Sequence, residues 1–118
     1  MDGNGTIAVG EGCQASFELN VKFQQVNKKK KTKLIGSFTY DDPCRPLSFH
    51  ALKITSLSFN GNQAHFTGTG KNGKQKITFS VDVTDNGSPG TNNDFFSIQV
   101  SNGYSASGYL TSGNISVH

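Results

Sequence analysis

Apolar and polar residues alternate along most of this chain with the period of two that a half-buried β-strand requires. The clearest run is Phe17, Leu19, Val21 and Phe23, separated by Glu18, Asn20 and Lys22, and it predicts a strand over residues 15 to 25. Ile77, Phe79, Val81 and Val83 predict another over 75 to 84, and Phe96, Ile98 and Val100 supply the inner face of a third. A short strand over Thr6 to Val9 opens the chain, residues 33 to 41 carry Leu34, Phe38 and Tyr40 on one side, and a last strand runs through Leu110 to Ile115 and Val117. Between Leu47 and Phe59 the apolar phase switches twice: Leu47, Phe49 and Ala51 share one parity, Leu52 and Ile54 the other, Leu57 and Phe59 the first again. Each switch calls for a β-bulge or a break.

Asn-Gly dipeptides lie between these runs at Asn60-Gly61, Asn72-Gly73, Asn86-Gly87 and Asn102-Gly103, with one more at Asn4-Gly5. Both residues tolerate positive φ, which the tight turns of β-hairpins need. A two-residue turn at Asn60-Gly61 sets Leu57 opposite Ala64, and one at Asn72-Gly73 sets Phe66 opposite Phe79 and Ala64 opposite Val81. At Asn102-Gly103 a three-residue loop is expected, because it pairs Val100 with Tyr104 and Ile98 with Ala106. The segment DDPCRP blocks regular pairing, since proline removes a ladder donor and constrains the residue before it. The prediction is a single all-β domain over 1-118, with about eight antiparallel strands in a meander and no helix. Sequential hairpins favour an up-and-down β-barrel or a barrel-like sandwich; an Ig-like β-sandwich needs a crossover, which DDPCRP or DNGSPGTNND could supply.

Composition agrees. The 118 residues suit one core, only 33% are hydrophobic, Gly reaches 14, Trp is absent, and nine Phe supply most of the bulk. Cys13 and Cys44 are an even pair in a small chain rich in Gly, Ser, Thr and Asn, and are read as one disulfide closing a loop of about 30 residues. Two buried free thiols are the alternative, and no C-x-x-C spacing supports a metal or redox motif. No apolar run reaches the roughly 20 residues of a membrane span. The first residues, MDGNGTIAVG, lack the apolar core of a signal peptide, so an exported protein would carry its leader upstream of this Met1.

The stretch VDVTDNGSPGTNNDFFSIQVSNGYSASGYLTSGNISVH resembles the bacterial post-COAP domain, a module that follows a choice-of-anchor domain. Its recurring phrases are similar to TDNGSPG, FSIQVSNGYSASG and GNISVH, and QASFELNVKF and ITSLSFNGNQAHFTGTG look like its earlier segments, so the likeness runs from about Gln14 to His118. The resemblance implies an exported module of a bacterial surface or secreted protein, and no reaction. The Lys28 to Lys33 stretch and the DDPCRP insert depart from the family pattern.

Lys28, Lys29, Lys30, Lys31 and Lys33 are five of the eleven basic residues, and without them a net charge of +3 becomes −2. The basic character therefore belongs to one hairpin tip, which could dock on anionic polysaccharide, teichoic acid, lipid headgroups or nucleic acid, or could keep an exposed hairpin solvated. No aromatic residue interleaves the lysines, which argues against single-stranded nucleic acid. Asp82, Asp85, Asn86, Asn93 and Asp94 gather the oxygens that calcium accepts, although Asx side chains more often cap turns. His65 is expected opposite Ser56, roughly 20 Å along the sheet from His50, so with the terminal His118 no shared metal site forms. Glu11 and Glu18 are the only glutamates, and Glu18 is placed outside, a poor basis for a glycosidase pair. Tyr109 is placed outward as a surface for sugar stacking, with Tyr40 and Tyr104 assigned to the core. The favoured reading is a noncatalytic extracellular module for attachment, spacing or recognition, its partner a polysaccharide or another surface protein. The alternatives are a glycan- or anionic-polymer-binding domain using the lysine loop, and a small enzyme with a site in the barrel mouth.

Overall fold

A meander of hairpins leaves its first and last strands with unpaired edges, and this chain removes both by pairing them with each other. A computed structural model describes residues 1–10, 12–26, 31–45, 47–87 and 93–117, with the side chains of 24–26 and 31–33 outside the description. The strands are β1 (Asp2–Gly10), β2 (Cys13–Val26), β3 (Lys31–Asp42), β4 (Leu47–Asn60), β5 (Gln63–Asn72), β6 (Gln75–Thr84), β7 (Phe95–Val100) and β8 (Ser105–Ser116). Each pairs antiparallel with the next, and β8 pairs with β1, giving a closed barrel. No helix long and apolar enough to cross a membrane is present among the described residues.

The barrel is flattened, 51 × 37 × 16 Å across its principal axes. Two strands make the corners. β4 pairs with β3 through residues 47–50 and with β5 from Ala51 onward, while β8 pairs with β7 through Ser105–Tyr109 and with β1 from Leu110 onward. Register shifts between Ala51 and Lys53 and between Ile54 and Ser56 are the two bulges that the changes of apolar phase in β4 demanded. Leu47, Phe49, Ile54 and Leu57 consequently all reach the core, and Leu52, caught at the first bulge, is exposed. Leu110 and Ile115 in β8 also differ in parity, yet both are buried, because a bulge at Thr111 separates the partners of Thr6 and Ile7. Directly beyond, Gly113 adopts φ 95° with Asn4 O occupying the space where a Cβ would stand, so no larger residue fits this crossing.

The hairpin at residues 100–104 follows its expected register: Ile98 faces Ala106, and Val100 N donates to Tyr104 O at 2.9 Å. The hairpins at Asn60-Gly61 and Asn72-Gly73 are displaced by two residues from the expected pairing. Asn60 and Asn72 stay in the ladder opposite Gln63 and Gln75, and the positive-φ residues Gly61 and Gly73 take the first of two turn positions. Leu57 therefore faces Phe66, and Phe66 faces Val81. A slip of two preserves parity, so the same side chains face inward.

Phe38 lies at the centre of the core, with the rings of Tyr40, Phe49, Phe66, Phe79 and Phe96 at centroid distances of 5.2 to 6.4 Å. Phe17 stacks on Phe96 at 4.1 Å. Two members of the expected inner set are instead about half exposed, Phe23 at 49% and Phe59 at 44%. Phe23 belongs to the part of the β2–β3 hairpin that extends past the β3–β4 ladder, and Phe59 to the last turn of β4; alternation aims both inward where the wall opposite has ended.

Candidate functional site

The barrel interior is packed by aromatic and aliphatic side chains, so chemistry with a partner must take place at its ends or on its outer faces. At one end β3 stops at Asp42 and the turn 43–45 follows. Asp42 is only 1% exposed. Its Oδ1 accepts from Cys44 N at 3.0 Å and Arg45 N at 3.3 Å, and its Oδ2 accepts from the Tyr104 hydroxyl at 2.6 Å. Since Tyr104 has a single proton, the 2.6 Å contact between the Tyr40 and Tyr104 hydroxyls is donated by Tyr40. Burial pushes Tyr40 up to about 12, and burial together with the bonds to Asp42 and Tyr40 raises Tyr104 as well. The Arg45 guanidinium lies 5.7 Å from the Tyr104 ring centroid, and Cys13 and Cys44 form a disulfide across the same end, Cα to Cα 6.2 Å. This mouth is a plug of mutually satisfied groups.

At the other end the residues expected around calcium divide in two. Asp94, fully buried, accepts from Asn86 N on Oδ1 and from Ile115 N on Oδ2, each at 2.8 Å. Asp85 accepts from Gly87 N at 3.1 Å and Val117 N at 3.1 Å, and Asn86 Nδ2 donates to Asn93 O at 2.8 Å. All four carboxylate oxygens take main-chain N–H groups, so the geometry displays the turn-capping use of these side chains. Asp82 stands apart on the outer face of β6, bonded through Oδ1 to His65 Nδ1 at 2.7 Å. Among the described residues, no three His, Cys, Asp or Glu side chains are grouped as a metal would require.

Several concavities mark the outside, and two of them are lined by both a histidine and a carboxylate. The larger, about 710 Å³, lies over β1–β4, where Asn4, Glu18, Thr39 and His50 form one cross-strand row and Asp41 lies in the next. The smaller, about 480 Å³, lies over β4–β7 and is lined by Gln63, His65, Asp82, Thr84 and Phe95 among others. Beside it Tyr109 is 59% exposed, as alternation required, and its ring meets Phe95 perpendicularly with centroids 5.2 Å apart. Lys28, Lys29 and Lys30 lie outside the described residues; Lys31 and Lys33 fall in β3 with their side chains undescribed. The lysine segment joins β2 to β3, at the same end of the barrel as the 85–94 loop and the Asn60–Gln63 turn.

Two of these groupings were missed, and only the second carried a local signal. The expected Asn72-Gly73 register puts His65 opposite Ser80; the observed register puts it opposite Asp82 and Ser58, and brings its Nδ1 to the Asp82 carboxylate. The doublet Phe95-Phe96 in an alternating strand forces one ring outside, a signal independent of any register. The Asp42–Tyr104 contact joins residues 62 apart and had no local sign. No family model, no curated protein and no solved structure matches this chain.

Proposed function

We propose that this chain is a noncatalytic module of an exported bacterial protein that recognises a polymer through its outer surface. The observation that carries the reading is the filled barrel. With six of the nine phenylalanines buried and one end sealed by Tyr40, Tyr104 and Asp42, the groups able to meet a partner are those on the rims and outer rows. The disulfide supports an oxidising compartment such as the cell exterior. The resemblance to post-COAP modules supports the same location. Attachment or spacing within a longer protein is the default work of such a unit, and two surface features favour recognition in addition: the concave outer rows, and the five lysines from Lys28 to Lys33 at the junction of β2 and β3.

The lysine tip would bind anionic polysaccharide or teichoic acid through point charges, giving affinity that falls steeply with salt. The test is binding of the intact chain to a panel of neutral and anionic cell-wall polysaccharides, together with analysis of each polymer for cleavage after prolonged incubation. Retention without cleavage is the expected result. Release of shortened products, or no retention by any polymer, would overturn the reading.

A further inference from the structure

Recognition of a sugar surface requires two kinds of group held side by side. An exposed aromatic ring covers the C–H face of a pyranose, and planar or charged polar side chains at its edge bond the hydroxyls. Outward residues of β5–β8 provide both. One cross-strand row leads from Gln63 through Thr84 to Phe95 and Tyr109, and the row beside it leads from His65 to Asp82. The two rows are two residues apart along each strand, roughly 7 Å.

We propose that this surface, the depression of about 480 Å³ with the Phe95–Tyr109 pair at its margin, is a binding site for a neutral glycan chain. The inference rests on the recognition reading above and names its ligand class. Three observations carry it. First, Tyr109 remains 59% exposed although Phe95 packs against it, and in a perpendicular pair the contact uses the edge of one ring, so ring surface is left for a third partner. Second, His65 Nδ1 holds Asp82 Oδ1 at 2.7 Å, which orients the carboxylate and leaves Oδ2 and the imidazole Nε2 to meet hydroxyls; the two side chains are 64% and 42% exposed. An oriented acceptor binds better than a free one because part of its rotamer entropy is already lost. Third, no lysine or arginine lies in either row, and Asp82 would repel a polyanion. The cationic partner for an anionic polymer is the separate β2–β3 tip. Across the four strands the row spans roughly 14 Å at the usual strand spacing, enough for a short oligosaccharide.

The experiment titrates the intact chain with neutral oligosaccharides of the glucan, mannan and chitin types at 0.5 M salt, which suppresses the lysine contribution. Calorimetry is one readout and tyrosine emission the other, since the chain has no Trp and Tyr109 is the tyrosine at this surface. Three variants are compared: Tyr109→Ala, Asp82→Ala, and the chain with all five lysines from Lys28 to Lys33 replaced by Ser. Each altered side chain at the site is exposed, and a thermal melt checks that the fold is kept. Affinity should fall roughly tenfold for Tyr109→Ala and by a similar factor for Asp82→Ala. The lysine variant should bind as the parent does, and the emission change should vanish in Tyr109→Ala. Neutral-glycan binding that survives both site variants overturns the assignment while leaving the recognition reading standing. Binding only to anionic polymers, abolished in the lysine variant, does the same. Absence of binding to every polymer overturns both.

Discussion

Each end of the barrel is closed over a buried aspartate, and the two ends use it differently. Asp94 accepts main-chain N–H groups from two segments far apart in sequence, Asn86 in its own loop and Ile115 in β8. It thereby holds the part of β8 that has left β7 to pair with β1. Asp85 repeats the device on Val117. Asp42 instead caps its own turn through Cys44 and Arg45, and reaches across the barrel through one hydroxyl, that of Tyr104. This second end also carries the Cys13–Cys44 bond. One end is tied by hydrogen bonds alone, the other by a covalent staple with a polar network beneath it, so equal substitutions should have unequal consequences.

The largest effect is expected from Asp94→Ala. It strands the buried Ile115 amide, at about 1–3 kcal/mol, and takes the acceptor from the amide of the exposed Asn86, so it should lower unfolding stability by about 3–4 kcal/mol. Urea denaturation measures it; a loss under about 1 kcal/mol would mean that water replaces the carboxylate and that this end is not tied as described. Replacing both cysteines by Ala at the opposite end comes next, at about 3 kcal/mol on the chain-entropy account of a loop this long. Amide hydrogen exchange sharpens the contrast: Cys13→Ala/Cys44→Ala should speed exchange around Arg45 and leave Ile115 unchanged, and the reverse should hold for Asp94→Ala. Uniform acceleration in both would show that the ends do not behave as separate units.

These differences explain what could be read in the chain. Strand identity, the meander of about eight antiparallel strands and the disulfide follow from local signals: alternation, turn residues and an even cysteine count. The two bulges in β4 were legible because phase errors at Leu52 and Leu57 must be repaired somewhere. The two-residue slips at Asn60 and Asn72 were not, because a slip of two leaves every side chain on its own face and alternation cannot detect it. That same slip decides whether His65 meets Ser80 or Asp82, so the outer surface was less legible than the core. Tyr109 was placed outside by parity alone. Asp42 lay in a segment read only as a break in pairing, and its tie to Tyr104 depends on barrel closure, which no local pattern encodes.

A smaller loss, about 2 kcal/mol, is expected for Asp42→Ala. Two of its three donors belong to the exposed residues Cys44 and Arg45, where water can take over, and only the Tyr104 hydroxyl is left in a confined position. Melting of Asp42→Ala beside Asp94→Ala in the same buffer checks the ranking, and an Asp42 effect larger than that of Asp94 would mean that the disulfide end depends more on its aspartate than the other end does.

Tyr104→Phe tests the same end most finely. Near neutral pH it removes one hydroxyl that donates to Asp42 and accepts from Tyr40, a loss of about 1 kcal/mol. Its distinctive signature is alkaline. Tyr40 rises from the unfolded value of 10.0 to about 12 in the fold, and Tyr104 is raised too. Groups held protonated by the fold contribute their full stability below the unfolded value and lose it as pH climbs towards the folded one, since the unfolded chain releases its protons first. The parent should therefore lose stability from about pH 10 upward, with two tyrosines contributing to the slope. In Tyr104→Phe one contributor is gone, so the slope should be roughly halved and the gap between the proteins should close between pH 10 and 12. Asp94 bonds main-chain amides and no tyrosine hydroxyl, so Asp94→Ala should shift the whole curve down in parallel with the parent. Urea midpoints at pH 8, 10 and 11.5 for the three proteins separate these shapes. A Tyr104→Phe curve parallel to the parent would mean that the tyrosine pair does not hold its protons through the fold, and that the disulfide and the turn alone close that end.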